Sequence, residues 1–166
     1  MYNTQRLTQI IYNLLFSIVV CSFTNDNTLV AQNRSVAIVY DNSGSMGKSG
    51  QCEGVNYALQ VMVGLLHPQD ELHVYKMQPA KGDFINLNNK QTAINKVSST
   101  YDCSAGNTPY EAISKAADQL KGSPKKSKWL IILSDGQITG NFPSDKNQLK
   151  RFVEDSGTRV IFLNVN

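Results

Sequence analysis

The chain has 166 residues, 41% of them hydrophobic and 17% charged, which suits one globular domain with one core. Its net charge of +3, from 16 basic and 13 acidic residues, is too small an excess to argue for nucleic acid. The densest basic stretch, Lys121, Lys125, Lys126 and Lys128, contains Gly122, Ser123 and Pro124 and no aromatic before Trp129, so it reads as a solvated loop between a helix and a strand.

Arg6 is the only charge before Asp26, and Ile10 to Phe23 is mostly apolar, broken by Asn13, Ser17 and Ser22. A basic start and a short apolar stretch form the pattern of a secretory signal peptide. The stretch is shorter than the roughly 20 residues a membrane-spanning helix needs. Residues 1–31 are therefore expected to be an export signal, with an uncleaved anchor as the rival, and the protein to be secreted, periplasmic or at the cell surface. Cleavage after Val20-Cys21-Ser22 and cleavage after Ala31 both stay open. Cys21 as a lipid-attachment site lacks the small residue that Ile18-Val19-Val20 would have to supply. If Cys21 leaves with the signal, Cys52 and Cys103 remain, either as a disulfide or as two separate buried thiols.

Ser35 to Tyr40 is a short apolar run rich in β-branched residues, read as a strand buried on both faces. Glu53 to Leu66 has helical spacing, with Val55, Ala58, Leu59, Met62, Leu65 and Leu66 on one face and His67-Pro68 as the stop. Glu71 to Met77 alternates as a strand does, and Phe84 to Asn88 is a shorter alternating run at an edge. Thr92 to Val97 reads as a short helix, followed by a loop over Ser98 to Asn107. Pro109 to Leu120 is a helix with Thr108 at its N-cap and Ala112, Ile113, Ala116, Ala117 and Leu120 on its buried stripe. Trp129 to Leu133 is a second buried strand, Lys146 to Glu154 a helix, and Arg159 to Val165 the last strand. Strands alternating with helices imply an α/β fold: a doubly wound, mostly parallel sheet with helices on both faces.

Two buried strands each end in an aspartate inside a small polar turn, Asp41-Asn42-Ser43-Gly44-Ser45-Met46 and Ser134-Asp135-Gly136. A third polar element, Gly106-Asn107-Thr108-Pro109, opens a helix. In open α/β sheets ligands bind at the C-terminal ends of the strands, beside the point where strand order reverses. If the two buried strands meet there, Asp41 and Asp135 face each other, and a divalent cation relieves their repulsion. Carboxylate and hydroxyl donors are hard oxygens, which suit Mg²⁺, Mn²⁺ or Ca²⁺ rather than zinc or copper. Ser43 and Ser45 converge if the loop curls, a curl that Gly44 permits, and Thr108 adds a third hydroxyl.

Asp-x-Ser-Gly-Ser after a buried strand, Gly-x-Thr-Pro at a helix start, and an apolar strand ending Ser-Asp-Gly together resemble the von Willebrand factor A domain. The resemblance runs from residue 35 to residue 166. It implies a metal-ion-dependent adhesion site held by Asp41, Ser43, Ser45, Thr108 and Asp135, with Mg²⁺ the leading cation and Mn²⁺ or Ca²⁺ as alternatives. It also implies a binding rather than a catalytic role: neutral hydroxyls leave the metal electrophilic, and an open position accepts an acidic group from a partner protein. Two alternatives stand beside it: a metal that only braces the loops, and an intracellular assembly subunit working with an ATPase. The resemblance places Cys52 and Cys103 on the metal-bearing face, where a bridge would tie the first and second metal loops. Closing a loop of about 50 residues would constrain the unfolded chain by a few kcal/mol. Family members usually continue to a sixth strand and a closing helix, so the chain is expected to be truncated after its fifth main strand. A membrane enters only through an N-terminal anchor or a missing C-terminal segment.

An enzymatic role finds little support. Ser43 or Ser45 as a nucleophile needs a base, and the two histidines, His67 and His73, map away from the strand ends. The Gly-x-Ser-x-Gly elbow is absent. Lys48 has no companion with which to hold a transferred phosphate. Partner choice is expected to rest on the surface around the loops, including Lys48, Ser49, Gln51 and Gln137 to Phe142.

Overall fold

The structure, a computed structural model, describes residues 33–48, 50–136, 147, 150–151 and 153–165. The expected signal or anchor over 1–31 lies outside these residues, as do Ser49 and the loop from Gln137 to Phe142. Of the helix expected over Lys146 to Glu154, residues 147, 150, 151, 153 and 154 are helical, and the rest lies outside the described residues.

The first strand, β1 (Arg34–Tyr40), is followed by one short helical turn, α1 (Gly44–Lys48), and by α2 (Gln51–Leu65). The hairpin β2 (Glu71–Lys76) and β3 (Lys81–Ile85) comes next, then α3 (Lys90–Thr100), α4 (Glu111–Gly122), β4 (Ser127–Ser134) and β5 (Arg159–Asn164). Among the described residues these strands form a five-stranded sheet in the order β3-β2-β1-β4-β5. Every pairing is parallel except the β2–β3 hairpin. The α/β reading therefore holds, with the central strand also the first in sequence.

β1 is buried almost throughout because it has a neighbour on each side and a helical layer above and below. Ala37 and Val39 face α4, which meets them with Ala112, Ile113, Ala116 and Leu120 in one buried cluster. Val36, Ile38 and Tyr40 face the other way and are equally buried. The crossover from β1 to β2 runs in the opposite direction to the one that reaches β4, so right-handed connections place α2 and α4 on opposite faces.

Local differences from the expected elements have clear causes. On α2 it is Val63 that joins Val55, Ala58, Leu59 and Met62 in the core, whereas Leu65 is 55% exposed. The helix ends there, with Met62 and Val63 as its last buried residues. The edge strand is Lys81–Ile85 rather than Phe84 to Asn88, since the hairpin register pairs Lys76 with Lys81 and Leu72 with Ile85. Leu87 is buried from a turn instead. Within the hairpin Gly82 stands opposite Tyr75, whose ring would lie 2.2 Å from any Cβ at that position. The short helix expected over Thr92 to Val97 extends to Lys90–Thr100, with the Asn89 side chain accepting the Thr92 N–H as its cap. Lys90 donates its Nζ to the carbonyls of Val63 and Leu66, which satisfies groups left open at the C-terminal end of α2.

At the N-terminal end of the sheet a single carboxylate joins three segments. Asp70 accepts the backbone N–H of Arg34 at 2.9 Å and of His67 at 2.8 Å, and pairs with the Arg34 guanidinium at 2.9 Å. Its side chain is fully buried, while that of Arg34 is 28% exposed. Asp70→Ala would strip these donors of their acceptor and should lower stability by about 2–4 kcal/mol. Urea unfolding should show an earlier midpoint with unchanged slope; a loss below about 1 kcal/mol would mean that water replaces the carboxylate readily.

Candidate metal centre

Strand order reverses between β1 and β4, and the two strands are aligned so that Tyr40 pairs with Leu133. The residues that follow, Asp41 on one side and Ser134 and Asp135 on the other, therefore emerge together in the crevice at the strand ends. Asp41 is fully buried. Its backbone N–H donates to the Leu133 carbonyl at 2.8 Å. One carboxylate oxygen accepts the Ser43 N–H at 2.8 Å and the other accepts the Ser134 hydroxyl at 2.9 Å. A buried carboxylate is tolerable only with such donors. Gly136 donates its N–H to the Ser134 hydroxyl at 3.1 Å, and its φ of 93° is a conformation that strongly favours glycine.

Ser43 and Ser45 converge as expected, with hydroxyl oxygens 2.8 Å apart. Ser45 then donates to a carboxylate oxygen of Asp135 at 2.8 Å. The curl that brings the serines together is the right-handed turn of α1. Gly44 is not needed for it: its φ is not positive, and a Cβ there would meet only the Ala105 carbonyl, at 3.9 Å. Ser45 is exposed and Asp135 partly so, whereas Ser43 and Asp41 are buried. The group thus has a sealed side against the sheet and an open side toward solvent.

The second loop is fastened to the first by backbone hydrogen bonds. Ala105 donates to the Asn42 carbonyl and accepts from the Gly44 N–H, both at 2.9 Å. Thr108, three residues further on, is 3% exposed. It is not the N-cap of α4. That helix begins at Glu111 with Tyr110 as its cap residue, and the Tyr110 carbonyl accepts the N–H groups of Ile113 and Ser114. Pro109 precedes the helix rather than opening it. Asp41, Ser43, Ser45 and Asp135 thus share one hydrogen-bonded group, and Thr108 is buried at the end of the loop that Ala105 anchors.

Asn42, the variable position of the motif, carries no evident signal in the sequence, yet it is buried and fully engaged. Its Nδ2 donates to the Gln78 carbonyl at 2.6 Å and to Asp102 at 3.3 Å, and its Oδ1 accepts the Gln78 N–H at 3.0 Å. Gln78 in turn accepts the Asn107 N–H at 3.1 Å. One amide therefore links the first loop, the β2–β3 turn and the second loop. Burial pushes the Asp102 carboxyl up, but hydrogen bonds from Lys76 and Asn42, the Lys76 charge and the Ser104 backbone outweigh it and leave it below its ordinary value. Burial first, and then nearby carboxylates, raise the Tyr40 hydroxyl. Burial, the neighbouring Tyr40 and then nearby carboxylates do the same to Tyr101, so both phenols stay protonated. Their rings pack with centroids 4.9 Å apart.

Cys52, in the first turn of α2, and Cys103, in the second loop, lie at bonding distance, with sulfurs 2.18 Å and Cα atoms 6.1 Å apart. The Tyr101 hydroxyl is 3.1 Å from the Cys103 sulfur.

The donor set fits a small hard cation. Adjacent oxygens of an octahedron with metal–oxygen distances of about 2.1 Å are separated by about 3.0 Å. The Ser43–Ser45 and Ser45–Asp135 oxygen pairs, hydrogen-bonded at 2.8 Å, lie within a few tenths of an ångström of that edge length. Among the described residues no group of three or more His, Cys, Asp or Glu gathers as a metal site; the oxygens here come from hydroxyls as well as carboxylates.

No family model matches the sequence, and no curated protein matches it. Solved structures do match. The conserved hypothetical protein BatB from Bacteroides thetaiotaomicron superposes with a TM-score of 0.59 at 16% identity, covering 77% of this chain and 64% of that one. The manganese-loaded Plasmodium vivax TRAP protein gives 0.55 at 17%, covering 80% and 58%. The SpRpn10 VWA domain gives 0.50 at 13%, covering 78% and 87%. The chain thus spans less than two thirds of the BatB and TRAP chains. At these identities the likeness is one of fold.

Asn42→Ala would leave the Gln78 N–H and carbonyl without their partner and should cost about 1–3 kcal/mol. Hydrogen exchange should speed up in the β2–β3 turn and over residues 102–107 together. Acceleration confined to one of these segments would contradict the linking role.

Proposed function

We propose that this chain, a domain with the von Willebrand factor A fold, holds a divalent cation at the C-terminal ends of β1 and β4 and uses it to bind an acidic group of a partner protein. The observation that carries this reading is the run of oxygens from Ser43 through Ser45 to Asp135, spaced at 2.8 Å beside the buried Asp41. Mg²⁺ is the leading cation, with Mn²⁺ and Ca²⁺ as alternatives; the manganese carried by the TRAP neighbour supports a divalent ion of this class.

Each residue has a role that follows from its position. Asp41 is fixed from two sides and supplies negative charge behind the site. Ser43 and Ser45 present neutral oxygens, which donate less charge than carboxylates. Asp135 faces the open side, and Thr108 supplies a hydroxyl from the second loop. A cation bound here would be an electrophilic centre with a position free for a partner's carboxylate. The exposure of Ser45 beside a sealed Asp41 supports recognition from the solvent side.

A binding role also suits the placement of the bases. His67 follows α2 at the far end of the sheet, where its Nδ1 accepts the Gln69 N–H. His73 lies within β2 against Phe84, with ring centroids 5.3 Å apart. Neither reaches Ser43 or Ser45, so neither can activate them. The paired cysteines support an oxidising compartment, in line with export.

A cation that binds only the folded state raises stability by about 2.7 kcal/mol at a hundredfold its dissociation constant. Thermal unfolding should therefore shift upward by several degrees when Mg²⁺ or Mn²⁺ replaces EDTA, and the shift should vanish in Asp41→Ala. Capture of the partner should be lost in EDTA and in Ser45→Ala. An equal shift in wild type and Asp41→Ala would place the cation elsewhere and remove the basis of the proposal.

A further inference from the structure

The two cysteines join the start of α2, just past the turn that carries Ser45, to the loop that leads to Thr108. Cys52 stands one residue into α2, which follows directly on the turn carrying Ser45. Cys103 precedes the Ala105 bridge by two residues and Thr108 by five. α1 lies on Cys103: a Cβ at Gly47 would be 3.4 Å from the Cys103 carbonyl and 3.7 Å from its Cβ. A bond between the sulfurs closes a ring with a sequence separation of 51, containing α2 from Cys52 onward, β2, β3 and α3.

We infer that the Cys52–Cys103 pair is a thiol–disulfide switch that sets the cation affinity of the neighbouring oxygen site, an inference that rests on the metal reading above. Three observations carry it. The bond is a covalent tie between the start of α2, just after the first loop, and the second loop, which meets the first through the backbone bonds at Ala105 and the contact of Asn42 with Asp102. Both cysteines are half-buried rather than sealed, so a small reductant can reach them. The Tyr101 hydroxyl lies 3.1 Å from the Cys103 sulfur, and its ring is held on Tyr40, so a polar group stands beside the bridge.

The chemistry is ordinary exchange with a dithiol reductant. One reductant thiolate attacks a bridge sulfur and the S–S bond breaks. Cys52 and Cys103 leave as two thiols, taking up two protons, and the reductant's sulfurs close to its own disulfide after giving up two electrons. With the bridge open, the segment from Tyr101 to Thr108 samples more conformations. Cation binding must then order it, which weakens the apparent affinity. Linkage makes the effect reciprocal: the factor by which oxidation tightens the cation is the factor by which the cation stabilises the disulfide.

The test is a Mn²⁺ titration of the full chain, oxidised and then reduced with dithiothreitol, with circular dichroism recorded in both states. The expected result is an unchanged spectrum and a dissociation constant at least tenfold weaker after reduction. The double variant Cys52→Ser/Cys103→Ser should bind as the reduced protein does and ignore the reductant. In a dithiol redox buffer, saturating Mn²⁺ should shift the midpoint of bridge reduction by the same factor. Equal dissociation constants in the two states would overturn the switch and leave the metal reading intact. Absence of binding in both states would overturn the metal reading and the switch with it. Loss of the folded spectrum on reduction would also overturn the switch, because the bridge would then hold the domain rather than the site.

Discussion

The parallel pairing of β1 with β4 is the constraint on which the other features depend. Its register sets Tyr40 beside Leu133, and one residue further Asp41 donates its N–H to the Leu133 carbonyl while Ser134 reaches back to the Asp41 carboxylate. Because side chains alternate along a strand, a slip of one residue would exchange the two faces of β1 and take Asp41 away from Ser134. The buried aliphatics of both strands hold the register, and the polar turns inherit their positions from it. The site is in this sense a by-product of core packing: the hydrophobic contacts of Ala37, Val39, Leu130 and Ile132 with α4 decide where four oxygen-bearing side chains emerge.

Beyond that register the site is held by a second tier of polar contacts with no apolar equivalent. Asn42 and Gln78 act much as a stretch of backbone pairing would, with donors and acceptors on both sides, in a place where three loops meet and no strand can run. Asp102 and Lys76 extend the tier toward solvent. The sulfur pair adds a covalent tie on the other flank. The first loop is thus fixed from the sheet, from the hairpin and from the second loop. Such support suits a site whose donors must already be in place when a cation arrives.

What could be read in advance follows from how local each signal is. β1 and β4 announced themselves as continuous apolar runs ending in Asp or Ser-Asp. The five candidate residues stand out in the sequence because the motif puts three of them within one turn and the others at a helix start and a strand end. Thr-Pro is a common helix start and points to Thr108 as a cap, but the cap depends on which carbonyl the chain turns around, and that is Tyr110. An amide in a variable position, such as Asn42, has no preferred partner until the fold brings Gln78 and Asp102 to it. The edge strand differs from its alternating pattern by a few residues for a similar reason: alternation over Phe84 to Asn88 continues past the last hairpin pair, and Leu87 is buried without a strand. The cysteine pair lay between these cases. Its parity suggested a bridge, but only the meeting of α2 with the second loop brings the sulfurs together.

The measurement that tests the central claim most directly is a crystal structure of the protein grown with Mn²⁺, read by anomalous scattering at the manganese edge. The account places one peak within about 2.1–2.2 Å of the Ser43 and Ser45 hydroxyl oxygens and next to Asp135. Saturating Mn²⁺ with no peak at these oxygens, or with its strongest peak on another face of the domain, would contradict it.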